Sequence, residues 1–308
     1  MKKAVVTGAT GFIGQWLVAE LVRNHVEVIA LVRPGNPQPI TLPHQGLHCV
    51  PCDIQKKDDI LNALQGLEID VFYHLAWLGM NQVGDAELQI ENILSIMRIL
   101  DAMAEMNIST FVGAGSFGEL EVTAEMHRPR KMDNPYYLYK AAKLAAHAMA
   151  KAKADIHGIR FLWPIITNAY GPGEKNQRLV QRTIRMLMNG QSPAFSSGEQ
   201  IYDFVYVSDA AKAFYLLGEH GIGDERYIIG SGRARKLKLF FSELGEAINP
   251  AVSLQFDTLG YAAVDVPAED FSIQTLVRDT GFQARISFAE GVRKTAQWIQ
   301  TGAVQEDV

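Results

Sequence analysis

The stretch that most constrains this chain is residues 7–14, TGATGFIG. It stands between a short apolar run (Ala4, Val5, Val6) and a segment whose apolar residues fall at Phe12, Ile13, Leu17, Leu21 and Val22. Strand, glycine turn and amphipathic helix, in that order, are what a dinucleotide-binding turn demands. Gly8 permits a tight turn, Gly11 lets backbone approach a pyrophosphate, and Gly14 lets the helix pack close on the strand. A helix starting near Gly11 aims its unpaired N–H groups and positive dipole end at phosphates. Glycines also populate ordinary turns, so their place between a strand and a helix carries the reading. The turn makes Gly8, Thr10, Gly11, Phe12 and Ile13 the first cofactor-binding candidates.

The rest of the chain repeats the same rhythm. Residues 26–32 (VEVIALV) are a nearly continuous apolar run, as in a parallel strand covered on both faces. Arg33 and a loop with Pro34, Pro37, Pro39 and Pro43 follow, excluding helix and central strand there. Further strands are expected at 47–50, 70–75, 110–114 and 159–163, and helices at 58–64, 87–106 and 139–154. The 87–106 helix carries a stripe at Ile90, Ile93, Leu94, Met97 and Leu100. Alternation at this spacing predicts an α/β fold, a doubly wound parallel Rossmann sheet. After Gly171-Pro172-Gly173 the rhythm changes to a helix at 179–188 and a strand at 201–207. The expected division is a dinucleotide-binding domain over 1–167, with 204–232 returning to it. A smaller C-terminal substrate-binding lobe takes 168–203 and 233–308.

Composition narrows the partners. With 308 residues, 48% hydrophobic, and a net charge of −5, the chain suits a large buried core and no nucleic-acid or anionic-membrane partner. No run approaches the roughly 18 apolar residues of a membrane span. The first strand begins almost at residue 1, leaving no room for a signal peptide, so the expectation is a soluble cytoplasmic protein. Cys49 and Cys52 are spaced as a redox pair or half a metal site. A redox pair wants its first cysteine at a helix N-terminus, and a metal site wants a second ligand pair beyond the nearby His44 and His48. Structural, reduced cysteines are expected, and no metal.

Together these residues resemble an extended short-chain dehydrogenase/reductase, the group of nucleotide-sugar epimerases, dehydratases and ketoreductases, over nearly the whole chain. TGATGFIG is similar to its glycine motif, and Asp53-Ile54 to the acidic residue after the third strand that contacts adenine. His74-Leu75-Ala76 resembles the strand end lining the cofactor, and Asn92 the helix asparagine behind the catalytic site. Trp77 and Ile166 join the cofactor set on the same resemblance. Residues 168–172 (NAYGP) resemble the substrate segment, and 203–209 (DFVYVSD) a later family motif. The resemblance implies a homodimer through the 87–106 helix and the alanine-rich helix.

The family signature is a Tyr and a Lys four apart on a helix, hence on one face. Tyr136 with Lys140 fits, as does Tyr139 with Lys143; the continuation Leu144-Ala145-Ala146 favours the second. A neighbouring ammonium is expected to lower the phenol pKa toward working pH. The resemblance makes Tyr139 the proton donor to a carbonyl, Lys143 the holder of the nicotinamide ribose, and Ser116 the hydroxyl on the same oxygen.

Departures from the family pattern refine the activity. The 4,6-dehydratases follow the Ser116 position with an Asp-Glu pair; here Phe117 and Gly118 stand there, disfavouring elimination. NAD-selective members end the second strand with an acid. This chain has Val32 and then Arg33, which favours NADP, with NAD the alternative. Tyr202 stands where the family often grips a diphosphate with Arg, leaving Arg178, Arg182 and Arg233 as candidates for that work or a substrate without a diphosphate as the alternative. Ser116, Glu119, Asn168, Arg178 and Tyr202 form the expected substrate set. The expected activity is reduction of a 4-keto group on a nucleotide-linked hexose. Alternatives are a 4-epimerase with retained NAD and a non-catalytic dinucleotide-binding sensor or scaffold.

Overall fold

A computed structural model describes residues 1–35, 46–126, 131–176, 178–260, 264 and 266–303. Pro37, Pro39, Pro43 and His44 of the sequence reading lie outside the described residues. The chain opens with β1 (Lys3–Thr7), α1 (Phe12–Arg23), β2 (Glu27–Val32), β3 (Leu47–Pro51), α2 (Lys57–Leu64), β4 (Val71–His74), α3 (Ala86–Glu105) and β5 (Thr110–Gly113). The two-residue β6 (Gly115–Ser116) and α4 (Gly118–Met126) lead to the long α5 (Tyr136–His157) and β7 (Arg160–Leu162).

Six of these strands form one parallel sheet in the order β3-β2-β1-β4-β5-β7. The period of two along β1 explains why both faces are covered. Ala4 and Val6 enter a core with Leu17 and Leu21 of α1, whereas Val5 enters another with Ile96, Ile99 and Leu100 of α3. Ala146, Ala150 and Ala154 form an i, i+4 stripe on α5 within that second core. Small side chains there let α5 lie close to α3 and the sheet. The order reverses at β1, since β2 lies on one side and β4 on the other. A crevice opens at such a switch point, beyond the carboxyl ends of the strands.

The second half supplies β8 (Ile165–Ile166), β9 (Asn168–Tyr170), α6 (Leu179–Met188), β10 (Ile201–Tyr202), β11 (Phe204–Tyr206), α7 (Val207–His220), β12 (Ile228–Ile229), β13 (Arg235–Lys236), α8 (Leu237–Ile248), α9 (Gln274–Thr280) and α10 (Phe288–Thr301). The strand expected over 201–207 is two strands broken at Asp203, and Val207 already begins α7. Asp203 is fully buried and accepts from the backbone N–H groups of Ser231 (2.7 Å) and Gly232 (3.4 Å), which pins the turn after β12. Helix α7 packs on α1. Ile184, Leu187, Phe240, Phe241 and Val292 build a separate core from α6, α8 and α10. Segment 233–308 divides among three cores, because Leu276 and Phe282 belong with the central sheet, and Val264, Val266 and Phe271 pack with Phe117, Ile165 and Ile228. Among the described residues no helix is long and apolar enough to cross a membrane.

Candidate active site

The glycine turn sets the floor of the crevice. Gly8 has φ +72°, and a Cβ there would lie 2.6 Å from Leu75 C and Ala76 N, so the turn presses directly on the chain leaving β4. Gly11 is the N-cap of α1; its N–H donates to Gly8 O at 2.9 Å, and no side chain caps the helix. No acid occupies the first turn of α1, so its orphan amides face outward without a competing carboxylate. These features fit a pyrophosphate, the part of a dinucleotide that needs close backbone approach and N–H donors. His74 ties β4 to β1 by its Nδ1 contact with Thr7 Oγ1 at 2.8 Å. Burial, and then the Lys143 charge, push its imidazole down to about 3, so it stays neutral.

Over this floor lies a cleft of ≈ 500 Å³. Toward β2 and β3 it is lined by Val32, Arg33, Asp53 and Ile54; Gly8, Thr10, Gly11, Phe12 and Ile13 come next, followed by Leu75, Ala76 and Trp77. Toward β5 and α5 it reaches Ser116, Tyr139, Lys143 and Ile166, with Arg178 also on its wall. The Ser116 hydroxyl is within hydrogen-bonding reach of the Tyr139 phenol. Tyr139 meets Trp77 edge-on at 5.9 Å. Lys143 donates to Ala114 O at 2.8 Å and holds its ammonium 3.7 Å from the centre of the Trp77 ring. The other register opens elsewhere: Tyr136 is 53% exposed, and Lys140 pairs with Glu121 at 2.8 Å.

The electrostatics differ from the expectation of a phenol lowered by its lysine. Burial raises the Tyr139 phenol above its ordinary value, outweighing the Ser116 hydrogen bond and the Arg178 charge that act the other way. Burial also lowers Lys143 to about 7, with Glu119 opposing. Desolvation disfavours a charge on either group, so at neutral pH the phenol keeps its proton.

Residues 4–230 match the NAD dependent epimerase/dehydratase family. The chain belongs to that family. The dTDP-glucose 4,6-dehydratase of Salmonella typhimurium is 24% identical over 337 residues, spanning 96% of this chain and 92% of that protein. Among solved structures, the enzyme WbmF of Bordetella bronchiseptica in complex with NADH superposes with a TM-score of 0.80 at 21% identity, covering 98% of this chain and 92% of the other. The UDP-glucose 4-epimerase of Thermotoga maritima with UDP-glucose gives 0.77 at 20% identity, covering 97% and 99%. Membership places this chain in a family of NAD-dependent nucleotide-sugar dehydratases and epimerases.

Four site residues expected of this epimerase/dehydratase-family chain do not line the cleft. Asn92 is buried behind it: its amide donates to Leu78 O (3.1 Å) and Leu88 O (2.8 Å) and accepts from Leu78 N (2.6 Å), bracing the segment after β4. Asn168 turns its side chain onto Asp203 O at 3.1 Å, because β9 pairs with β11 there. Tyr202 stacks on Phe204 at 5.8 Å, on the third core. Glu119 is 1% exposed and points behind Ser116 rather than into the crevice. Arg182 and Arg233 are also outside the cleft wall, and Arg235, Lys236 and Lys238 are taken up by Glu243 and Glu199.

Other residues of the wall went unread in the sequence. Glu174 is buried on it, accepting from Asn176 N at 3.2 Å and standing 3.6 Å from the Arg178 guanidinium. The polar run that follows Gly171-Pro172-Gly173 was the available signal. Cys49 and Cys52 are both free thiols, and burial, with Asp59 and Asp53 adding to it, pushes Cys52 up to about 11. Among the described residues no cluster suits a metal ion. Phe117 stacks on Phe271 at 4.3 Å, and a Cβ on Gly118 would meet Lys140 Cγ at 2.8 Å.

Proposed function

We propose that this protein reduces a 4-keto group on a nucleotide-linked deoxyhexose, with NADPH preferred over NADH. One observation carries the reading. Tyr139 faces the cleft beside Ser116, while positions 117 and 118 offer no group able to exchange protons. A protonated phenol is the form that reduction uses; oxidation, the first half of an epimerisation, needs its conjugate base.

A dinucleotide held by the α1 amides and Lys143 would supply hydride chemistry at the carbonyl carbon. Tyr139 gives its phenolic proton to the carbonyl oxygen, and the Ser116 hydroxyl donates a hydrogen bond to that same oxygen. Ketone, hydride and proton together make the hydroxyl product. Lys143, anchored by Ala114 O and the Trp77 face, holds the nicotinamide ribose. The α1 amides hold the pyrophosphate, Asp53 the adenine, and the exposed Arg33 a 2′-phosphate. Arg178 takes the substrate's phosphates, and α6, α8 and α10 form the substrate lobe of the 168–203 and 233–308 division. Ile90 and Leu94 of α3 and Met149 of α5 are exposed apolar side chains and serve as a homodimer face, which sedimentation tests.

Nucleotide released from the purified protein, and NADPH consumption at 340 nm with 4-keto-6-deoxy nucleotide sugars, test the reading. Little retained nucleotide and one NADPH consumed per hydroxyl formed are expected. Stoichiometric retained NAD with no NADPH consumption refutes it and gives the 4-epimerase instead. Tyr139→Phe is expected to lose turnover by about 10²–10⁴-fold with cofactor affinity retained. No turnover in the unaltered protein, despite tight dinucleotide binding, leaves the sensor.

A further inference from the structure

Glu119 lies behind the reaction centre, and its surroundings are built with care. A buried carboxylate is costly unless its oxygens are met by donors. Here Oε1 accepts from the Ser116 backbone N–H at 2.7 Å and from Trp163 Nε1 at 3.1 Å, while Oε2 meets His147 Nδ1 at 2.9 Å. The phase of two helices brings this about: Glu119 is in the first turn of α4, and His147 lies one turn beyond Lys143 on α5. His147 lies flat on Trp163 at 5.4 Å, and the Trp163 ring is in turn 5.7 Å from the Lys143 ammonium. Lys143 bonds Ala114 O and Glu119 bonds Ser116 N, so the two grip the same short segment two residues apart.

The pair also has an outer end. His147 is half-buried and lines a second cavity of ≈ 390 Å³, apart from the cleft. The other charged groups around that cavity are Lys151 on α5 and Asp224, Glu225 and Arg226 from the loop after α7. Lys151 pairs with Asp224, Glu225 with Arg278, and Arg226 with Asp270, leaving Glu119 as the carboxylate bonded to the imidazole. Around Lys143 the titratable neighbours are His74 of β4, Tyr139 of α5 and Glu119 of α4.

We propose that Glu119 and His147 are a positioning pair for the reaction: Glu119 fixes Ser116 through its amide and supplies the anion that offsets the Lys143 charge, and His147 sets the strength of that anion from the second cavity. The chain, as a reductase, rests on the preceding reading; the pair's action on Lys143 does not. Its physical basis is that a carboxylate near a buried ammonium favours the charged form, and a cation placed on the carboxylate cancels part of that effect.

Competitive acetylation of Lys143 with acetic anhydride across pH, read by mass spectrometry of the whole protein's peptides, measures the lysine without substrate. Glu119→Gln keeps the shape and the acceptor for Ser116 N but removes the charge. Its Lys143 midpoint is expected to fall by about one pH unit below that of the unaltered protein. Its turnover of 4-keto nucleotide sugar is expected to fall about tenfold, with KM within about twofold and the alkaline limb of kcat moved to lower pH. His147→Lys, a fixed cation against Glu119, moves the midpoint the same way by a smaller amount. An unmoved midpoint in Glu119→Gln overturns the proposal. Where that variant gives no cooperative melt, an unmoved midpoint in His147→Lys overturns it instead. A shifted midpoint in a protein that reduces no 4-keto sugar refutes the reductase reading and leaves the pair standing.

Discussion

Gly14→Ala sets two effects of opposite sign against each other. In the first turn of α1, alanine's helix propensity by itself stabilises by up to about 1 kcal/mol. The new Cβ, however, would sit 2.0 Å from Gly8 O, 2.8 Å from Gly8 C and 3.0 Å from Ala9 Cα. Carbon contacts are comfortable at about 3.5 Å or more, so α1 must retreat from the turn by over about 1 Å. Every obstructing atom is backbone, with no rotamer that can yield, which puts the cost at the upper end of overpacking, about 3 kcal/mol. The net expectation is a loss of about 2 kcal/mol. Dinucleotide affinity falls further than stability implies, because the same retreat moves the α1 amides off the phosphates; about tenfold or more is expected, or 1.4 kcal/mol. Urea unfolding followed by tryptophan fluorescence gives the first quantity, and titration with NADPH and NADH the second. Gly11→Ala is the control, since its Cβ would be 3.0 Å from Gly8 O and Gly11 has an ordinary φ of −80°. It should cost about 1 kcal/mol or less. A Gly14→Ala protein as stable as the original, with affinity within about twofold, refutes the close-approach reasoning.

Arg33→Asp places a carboxylate at the end of β2, where it repels a 2′-phosphate and accepts from ribose hydroxyls; NADP affinity should fall about tenfold or more while NAD affinity holds or rises, by calorimetric titration. Unchanged preference refutes the role given to Arg33. Lys143→Met tests a linkage whose sign is fixed by the lowered lysine. Its folded value is about 7 against an ordinary 10.5, so between those values the unfolded chain binds the extra proton and stability rises with pH, by at most about 1.4 kcal/mol per unit. The variant lacks this slope, so its stability relative to the original is greatest below pH 7 and declines toward pH 10; parallel curves from urea melts at pH 6, 8 and 10 refute the assignment.

What could be read in the sequence was what neighbouring residues decide among themselves. The glycine turn, the parallel strands and the helices over 57–64 and 86–105 follow from local periodicity, and the structure places them within a few residues. Helix α5 begins three residues before Tyr139 because Pro135, at its N-cap, has no N–H to lose there. The break at Asp203 depends on Ser231, 28 positions away. The place of Glu119, behind Ser116, has the same cause: its partners His147 and Trp163 lie 28 and 44 positions downstream. The charge state of Lys143 is likewise a product of burial, which no spacing of residues reveals.

Family membership leaves the reaction open, and the residues after Ser116 bear on the proposed reading. The Asp-Glu pair that the resemblance implies for a 4,6-dehydratase would fall at 117 and 118. At 118 the obstacle is small, because Lys140 Cγ, at 2.8 Å from a new Cβ, belongs to a flexible side chain that can yield. At 117 it is not. Phe117 is stacked on Phe271 in an apolar cluster with Ile165, Ile228, Val264 and Val266. An Asp in its place would remove an aromatic contact worth about 0.5–1.5 kcal/mol and set an unpaired carboxylate against that cluster. Installing an acidic pair there would then require rebuilding the cluster as well as supplying the acids. The apolar packing at 117 therefore supports the proposed reduction, in which Tyr139 gives a single proton, over an elimination that needs acids there.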